Sequence, residues 1–330
     1  MSVKKIALIT GGYSGESVIS YRTAKTIEQH LDSSLFKTYL IDITKEGWFY
    51  VDANEDRIPV DKNDFSITLG DKKVNFDAAF IALHGTPGED GKLQGYLDML
   101  NIPYTSCDAT TSSLTFNKRY TTAVAGAAGI GVAQSVLLIQ GALDNWEERV
   151  AHLRFPVFVK PNNGGSSIGM SKVASAGEPL REALAKALKE DTQVLIEEMI
   201  QGREFTVGVF RTHGEVVVLP ITEVVADADM PFFDFVAKYQ GKSTETTPAQ
   251  IDDDTARKLQ DAARQVYLAF NCRGVVRIDF IYQEQEGRPY MLELNSIPGQ
   301  SEASIIPQQV TSKGWTLTEF YTQLLQDCLS

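Results

Sequence analysis

Two late segments of the 330-residue chain carry polar side chains at alternating positions, Arg277-Ile278-Asp279-Phe280-Ile281 and Met291-Leu292-Glu293-Leu294-Asn295. In an extended strand successive side chains point to opposite faces, so Arg277 and Asp279 share one face and Glu293 and Asn295 share one face of the second strand. Ile278, Phe280, Leu292 and Leu294 are then expected to point the other way, into a core. The polar linker 283–287 ends in Gly287 and predicts a hairpin between the two strands. That arrangement gathers two carboxylates, one amide and one guanidinium. Oxygen ligands of this kind suit a hard cation such as Mg2+, whose shell phosphate groups commonly complete. An ordinary sheet with one wet, charged face fits the same alternation. The turn Asn295-Ser296-Ile297-Pro298-Gly299-Gln300-Ser301 comes directly after and exposes backbone amides beside the candidate ligands.

Three further loops hold chemistry-bearing types. Asn162-Asn163-Gly164-Gly165-Ser166-Ser167-Ile168-Gly169 packs three glycines and two serines into eight residues. Such a loop presents backbone N–H groups to phosphate oxygens, because glycine tolerates the angles and the close approach. Lys160, at the end of the strand before it, supplies a cation where phosphate charge would sit, although a solvated surface lysine is the plainer reading. The Walker spacing Gly-x-x-x-x-Gly-Lys-[Ser/Thr] is absent. Gly11-Gly12-Tyr13-Ser14-Gly15-Glu16 fails the Gly-x-Gly-x-x-Gly spacing of a dinucleotide loop. Glu16 there either complements a helix dipole or binds a substrate amine. His84 opens a third loop, His84-Gly85-Thr86-Pro87-Gly88-Glu89-Asp90-Gly91, and is the one histidine of four in a glycine-rich loop at a strand end.

The elements that must position these residues are read from periodicity. The first hundred residues alternate strand (5–10), helix (17–31), strand (36–43), strand (77–83) and helix (92–100). This order predicts a small open parallel sheet with its loops, and hence its ligands, at the carboxyl ends of the strands. A helix over 111–128 carries Lys118. A mixed unit then holds strands at 155–161, 171–173 and 193–199 and a helix at 180–188. The last third has strands at 204–211 and 215–219, an irregular stretch from 220 to 251, and a helix over 252–270 before the hairpin. A loop of that length in a compact domain is more often functional than idle. It contains Phe232-Phe233-Asp234-Phe235-Val236-Ala237-Lys238-Tyr239. The expected division is 1–108, an α/β substrate domain; 109–200, a central mixed domain; and 201–330, a C-terminal domain with the long loop and the metal site.

Bulk properties narrow the class. Hydrophobic residues make up 43% and charged residues 22% of the chain, as in ordinary soluble proteins. A net charge of -12 argues against nucleic acid and against an anionic membrane surface as partners. No apolar run reaches the roughly 20 residues that span a bilayer. The three cysteines, Cys107, Cys272 and Cys328, show no metal spacing and fit reduced thiols in a cytoplasm.

In their order along the chain these segments resemble the D-alanine–D-alanine ligases of the ATP-grasp superfamily. The resemblance runs through the Gly11–Glu16 loop with Ser20, the His84–Gly91 loop, Val159-Lys160-Pro161 with 165–170, Glu204-Phe205-Thr206-Val207, Ala237-Lys238-Tyr239, Arg277-Ile278-Asp279, and Glu293-Leu294-Asn295-Ser296-Ile297-Pro298-Gly299. It implies an ATP-grasp fold of class α/β, in parts α+β, in which an open parallel N-terminal domain precedes two mixed domains that clamp ATP. It further implies that Asp279, Glu293 and Asn295 hold two Mg2+ ions, with Mn2+ as a substitute. Lys118 and Lys160 would contact the nucleotide, Glu197 the adenine, Glu204 the ribose and Lys238 the transferred phosphoryl group. Glu16 would bind the ammonium of the first D-alanine, and Ser166 and Tyr239 would join it in a hydrogen-bonded set. His84 would lie near the first substrate, and Ser304 and Ile305 would bind the second. Arg277 and the Gly299 N–H would stabilise an oxyanion. A cytoplasmic homodimer is implied, serving the cell-wall peptidoglycan precursor. The chain departs from the pattern at Ser17-Val18-Ile19, where many relatives carry Arg-Glu-Val, and at Gln300, where Met often follows the glycine.

The implied reaction joins two D-alanines at the expense of ATP through an acyl phosphate, with the 220–251 stretch as a lid against water. A tyrosine at 239 goes with the dipeptide in this family and a phenylalanine with the D-lactate ester, so the amide is expected. Two other readings stay open: a carboxylate–amine ligase with another acceptor, and a nucleotide binder without catalysis.

Overall fold

The computed structural model describes residues 3–165, 168–226 and 243–330. Strand β1 (Lys4–Gly11) opens with two exposed lysines and continues into an apolar run, Ile6, Ala7, Leu8 and Ile9, that is fully buried. A strand covered on both faces belongs inside a parallel sheet, and β1 lies between β2 (Phe36–Ile43) and β7 (Ala78–Ile81), parallel to both. The edge beyond β2 is antiparallel, through β3 (Trp48–Val51) and β4 (Arg57–Pro59), and a separate hairpin pairs β5 (Ile67–Leu69) with β6 (Lys72–Val74). Periodicity predicts the parallel core but not these four short strands. Helix α1 (Ser17–His30) starts from the carboxyl end of β1 and buries Thr23, Ala24 and Ile27, while α2 (Lys92–Met99) comes after the His84 loop.

The expected single helix over 111–128 is two helices, α3 (Ala109–Phe116) and α4 (Lys118–Ala127). Asn117 breaks it with extended backbone angles, and its side chain caps α4 by accepting the Tyr120 N–H. Its backbone is held by a bridge to Asn163 in the glycine-rich loop. The interruption places Lys118 in the first turn of α4, against that loop.

The second sheet, order β10-β9-β11-β8, is antiparallel. Its strands are β8 (Ser135–Ile139), β9 (Val157–Pro161), β10 (Ser171–Val173) and β11 (Gln193–Glu198). The short α5 (Trp146–Val150) leads into it, and α6 (Glu178–Ala187) covers one face with Leu180, Ala183, Leu184 and Ala187, the helical stripe expected of a half-buried helix.

The third sheet runs β15-β14-β12-β16-β17, with β13 also on β12. It comprises β12 (Arg203–Thr212), β13 (Glu215–Val218), β14 (Thr222–Ala226), β15 (Ser243–Thr246), β16 (Val276–Gln283) and β17 (Arg288–Asn295). The stretch 220–251 is therefore not irregular throughout: β14 and β15 are antiparallel partners within it. Residues 227–242, with Lys238 and Tyr239, and residues 166–167 lie outside the described residues. Helix α7 (Asp253–Ala269) packs Leu259, Ala263, Val266 and Tyr267 under this sheet, and Asp252 caps it by accepting the Asp254 and Thr255 N–H groups. Two helices absent from the sequence reading, α8 (Ile305–Ser312) and α9 (Leu317–Leu329), close the chain. Phe320 and Tyr321 of α9 share a core with Ile6, Leu8, Ala24 and Ile27, so the end of the chain packs on the first sheet.

Candidate active site

The hairpin forms as its alternation predicts, with Arg277 opposite Asn295 and Asp279 opposite Glu293. One correction concerns Leu292. The register shifts between Asp279 and Phe280, so that Phe280 pairs with Met291. The bulge gives β17 one extra residue there and reverses the facing of its neighbours. Met291 and Leu294 enter the core, whereas Leu292 is only half-buried and lines a cleft beside Ile281.

Asp279 is 5% exposed and its carboxylate accepts four hydrogen bonds, the longest of them from the Asn295 amide. It accepts Arg277 Nε and Nη2 at 3.0 and 2.8 Å, the Thr206 hydroxyl at 2.9 Å and the Asn295 amide at 3.3 Å. Arg277 Nη2 also lies 3.8 Å from Glu293. Asp279, Glu293 and Asn295 thus meet on one face. Among the described residues no three His, Cys, Asp or Glu side chains form a metal cluster. The donor set is instead two carboxylates and an amide, hard oxygens of the kind Mg2+ takes, once Asn295 presents its oxygen.

Two cavities adjoin this face. The larger, about 620 Å³, is bounded by Lys160, Glu197, Glu204, Ile281, Leu292 and Met199. The smaller, about 260 Å³, is bounded by Glu16, Arg22, His84, Glu89, Arg277, Gly299, Ser304 and Ile305. Lys118, Gly164, Gly165, Glu204, Asp279 and Glu293 line both. Lys160 stands at the end of β9, and its Nζ donates to Glu197 Oε1 at 2.7 Å across to β11, with both side chains largely buried. Lys118 Nζ donates to the Gly164 carbonyl at 2.7 Å and so ties the glycine-rich loop to α4. Glu204 on β12 faces the cavity between Val224 and Ile281.

Glu16 is the residue before α1, makes no side-chain cap to the helix, and its carboxylate sits between two glycines. A Cβ added at Gly85 would lie 2.7 Å from Glu16 Oε2, and one added at Gly165 would lie 2.8 Å from Oε1. Gly85 also has φ of +69°, the left-handed region that favours glycine. Glu16 therefore reaches the edge of the loop that carries Ser166. His84 is 7% exposed; its N–H donates to Ser20 Oγ at 2.9 Å and its Nε2 lies 3.0 Å from Thr23 Oγ1. Burial pushes the imidazole down to about 4; the Ile297 carbonyl opposes this and the Arg277 charge adds to it. Ser304 is the residue before α8, with its hydroxyl 2.8 Å from that of Ser301. Gln300 is 2% exposed, and its Oε1 has no hydrogen-bond partner among the described residues.

Of the expected site residues, Ser166, Lys238 and Tyr239 lie outside the described residues; the others line one or both cavities. Sequence reasoning missed Glu89, Thr206 and Arg22. Glu89 accepts the Gly85 N–H at 2.8 Å, and burial together with the Glu16 charge pushes its carboxyl up to about 8. Its place in an otherwise small-residue loop beside His84 was the available signal. Thr206 follows Glu204 at strand spacing, which put it on the same face.

The family model of the D-ala D-ala ligase C-terminus matches residues 124–326, and that of the D-ala D-ala ligase N-terminus matches residues 5–107. A D-alanine–D-alanine ligase of Flavobacterium johnsoniae is 45% identical over 324 residues, 98% of this chain and 99% of that protein. One from Porphyromonas gingivalis is 42% identical over 326 residues, 98% of each. Among solved structures, the VanG D-Ala:D-Ser ligase from Enterococcus faecalis superposes with a TM-score of 0.87 at 29% identity, covering 98% of this chain and 99% of the other. The Bacillus anthracis D-alanine–D-alanine ligase complexed with ATP gives 0.79 at 27% identity, covering 100% and 98%. The two family models span both ends of the chain and the relatives align along almost all of it: the chain belongs to the D-alanine–D-alanine ligase family.

Proposed function

We propose that this chain joins two D-alanine molecules with ATP, giving D-alanyl-D-alanine, ADP and phosphate, for the cell-wall peptidoglycan precursor. The observation that carries the reading is the shared wall: one hairpin face borders both a nucleotide-sized cavity and an amino-acid-sized one. The division at about residues 108 and 200 assigns the first substrate to the N-terminal domain and the nucleotide to the other two.

Glu16, reaching both glycine loops, holds the ammonium of the first D-alanine and orients its carboxylate toward the shared wall. That carboxylate attacks the terminal phosphorus of ATP; the bond to ADP breaks and an acyl phosphate forms. Two anions approach in this step, and positioned cations offset their repulsion. Lys160 supplies one, joined in the sequence scheme by Lys238; Lys118 fixes the loop over the phosphates, Glu197 borders the adenine and Glu204 the ribose. Asp279, Glu293 and Asn295 fit two Mg2+ ions, for which Mn2+ is the substitute, and such ions neutralise phosphate charge when bound. The amine of the second D-alanine, set by Ser304 and Ile305, attacks the activated carbonyl. Arg277, held side-on by Asp279, and the Gly299 N–H face the developing oxyanion, a contribution of several kcal/mol when donors are preorganised. Phosphate then leaves. Ser166 and Tyr239 complete the set around Glu16 in this scheme, with the 220–251 stretch as the lid. Among the described residues no helix is long and apolar enough to cross a membrane, and the scheme is that of a cytoplasmic homodimer.

The test is ADP release from ATP and Mg2+ on adding D-alanine, with L-alanine as control and D-serine and D-lactate as competing acceptors. D-alanine-dependent ADP with D-alanyl-D-alanine as the main product is expected, and chelation of the metal abolishes it. A dominant D-serine dipeptide or D-lactate ester overturns the acceptor assignment. No ADP with any amino acid overturns the enzyme.

A further inference from the structure

Thr23 has no part in the scheme above, yet it touches two of the loops that the scheme needs. It lies on α1, is fully buried, and its hydroxyl accepts the Gln300 N–H at 3.3 Å. The same oxygen lies 3.0 Å from His84 Nε2. Thr23 has no other side-chain hydrogen-bond partner among the described residues. A threonine hydroxyl has one hydrogen to give. Gln300 occupies one of the oxygen's two lone pairs, and the remaining contact to Nε2 is a donation by the hydroxyl when the ring proton sits on Nδ1. The Ile297 carbonyl faces the ring and favours that N–H. The Ser20 hydroxyl meanwhile accepts the backbone N–H of His84. Helix α1 thus grips the His84 loop at two points and the 297–300 turn at one, from opposite ends of the chain.

We propose that Thr23 is a positioning residue: it fixes the His84 imidazole as the Nδ1–H tautomer between α1 and the Ile297–Gln300 turn, and so sets the direction of the Gly299 N–H toward the reacting carbonyl. The role of Gly299 in this rests on the function proposed above; the tautomer and the latch do not. Nε2 is held by Thr23 and the Ile297 carbonyl adjoins the ring, so the imidazole acts through the turn. The backbone N–H that Thr23 holds belongs to the residue directly after Gly299. A change in Thr23 is transmitted to the oxyanion donor without any contact with nucleotide.

Thr23→Val removes the hydroxyl and keeps the shape, and Thr23→Ser keeps the hydroxyl. Long-range 1H–15N spectra of the histidine rings, four in the chain, give the tautomer directly. The wild type is expected to show Nδ1–H for His84, assigned by its loss in His84→Gln, and Thr23→Val to lose that single-tautomer signature while Thr23→Ser retains it. With D-alanine and ATP, Thr23→Val is expected to lower kcat about tenfold with the KM for ATP unchanged, and Thr23→Ser to recover most of it. An Nε2–H tautomer in the wild type overturns the proposal, as does a Thr23→Val enzyme with wild-type kcat or a KM for ATP that rises in step with the loss. A wild-type enzyme inactive with D-alanine refutes the proposed function and leaves the ring spectra to decide the latch.

Discussion

The Lys160–Glu197 pair offers a sharp perturbation because it is both buried and functional in the proposed scheme. The two groups are 2.7 Å apart, with side-chain exposures of 13% and 6%. At an effective dielectric of about 20 their gross attraction is roughly 6 kcal/mol. Desolvating both charges consumes most of that, so the pair contributes little net. Removing one partner is different, because a buried charge is stranded. Lys160→Met and Glu197→Gln should each cost about 3 kcal/mol, and the double variant about 1–2 kcal/mol, a coupling of about 4 kcal/mol. Urea denaturation of the four proteins, followed by fluorescence and by hydrogen exchange of the β9–β11 amides, reads the cycle. ATP titration reads the functional half: the single and double variants that carry Lys160→Met lose nucleotide affinity, whereas Glu197→Gln alone retains the phosphate cation and loses less. Additive destabilisation, with the double variant near the sum of about 6 kcal/mol, would refute the claim that the two charges share one buried site.

Other consequences are simpler. Glu89→Gln supplies the uncharged form that the fold prefers: the folded carboxyl, raised to about 8 from 4.5, sheds stability as pH climbs between those values. The variant's melting temperature should therefore exceed that of the wild type by a margin that widens from pH 4.5 to 8, with weaker D-alanine binding; a constant or shrinking margin contradicts the raised carboxyl. His84 titrates in the opposite sense. Its folded form, lowered from 6.5 to about 4, stays neutral while the unfolded chain protonates, so stability is lost as pH falls across that window, by up to about 3 kcal/mol. His84→Gln should remove that portion of the slope in denaturation midpoints between about pH 4.5 and 7, and an unchanged slope contradicts the burial argument. Gly165→Ala brings a methyl to 2.8 Å from Glu16 Oε1, the far end of a flexible side chain. Its melting temperature should stay within a degree or two of wild type while the KM for the first D-alanine rises at least fivefold; a large stability loss with normal KM would mean that Glu16 does not occupy that position.

Much of the site was legible because its signals are local. Strand alternation placed Arg277, Asp279, Glu293 and Asn295 on one wall, and glycine runs marked the loops that flank it. What escaped depends on contacts distant in sequence. The bulge opposite Asp279 leaves no local trace, so Leu292 read as core although it faces the cleft. Strand β15, Ser243–Thr246, is wholly polar and carries no apolar period, since pairing with β14 defines it. The break at Asn117 is set by the bridge to Asn163, 46 residues away. By contrast α9 was missed although its signal is local: Thr316 and Glu319 form a capping box ahead of an apolar stripe.

The same contrast explains where the chemistry sits. Charged groups of the site are oriented by partners from other parts of the chain: Asp279 by Thr206, Lys160 by Glu197, and the Lys118 ammonium by the Gly164 carbonyl. Glu16 is confined by glycines 69 and 149 residues further along, which leave room for a carboxylate where any Cβ would intrude. A single loop holding all these groups would have to order many long side chains at a cost in conformational entropy. Spread over three sheets, each group borrows rigidity from strands already fixed by their own cores, and only the glycine-rich edges are left to admit substrate. In the proposed scheme the separate cores are therefore part of the catalytic design: they let the nucleotide side and the amino-acid side be built independently and meet at one hairpin, where Asp279 and Glu293 line both cavities.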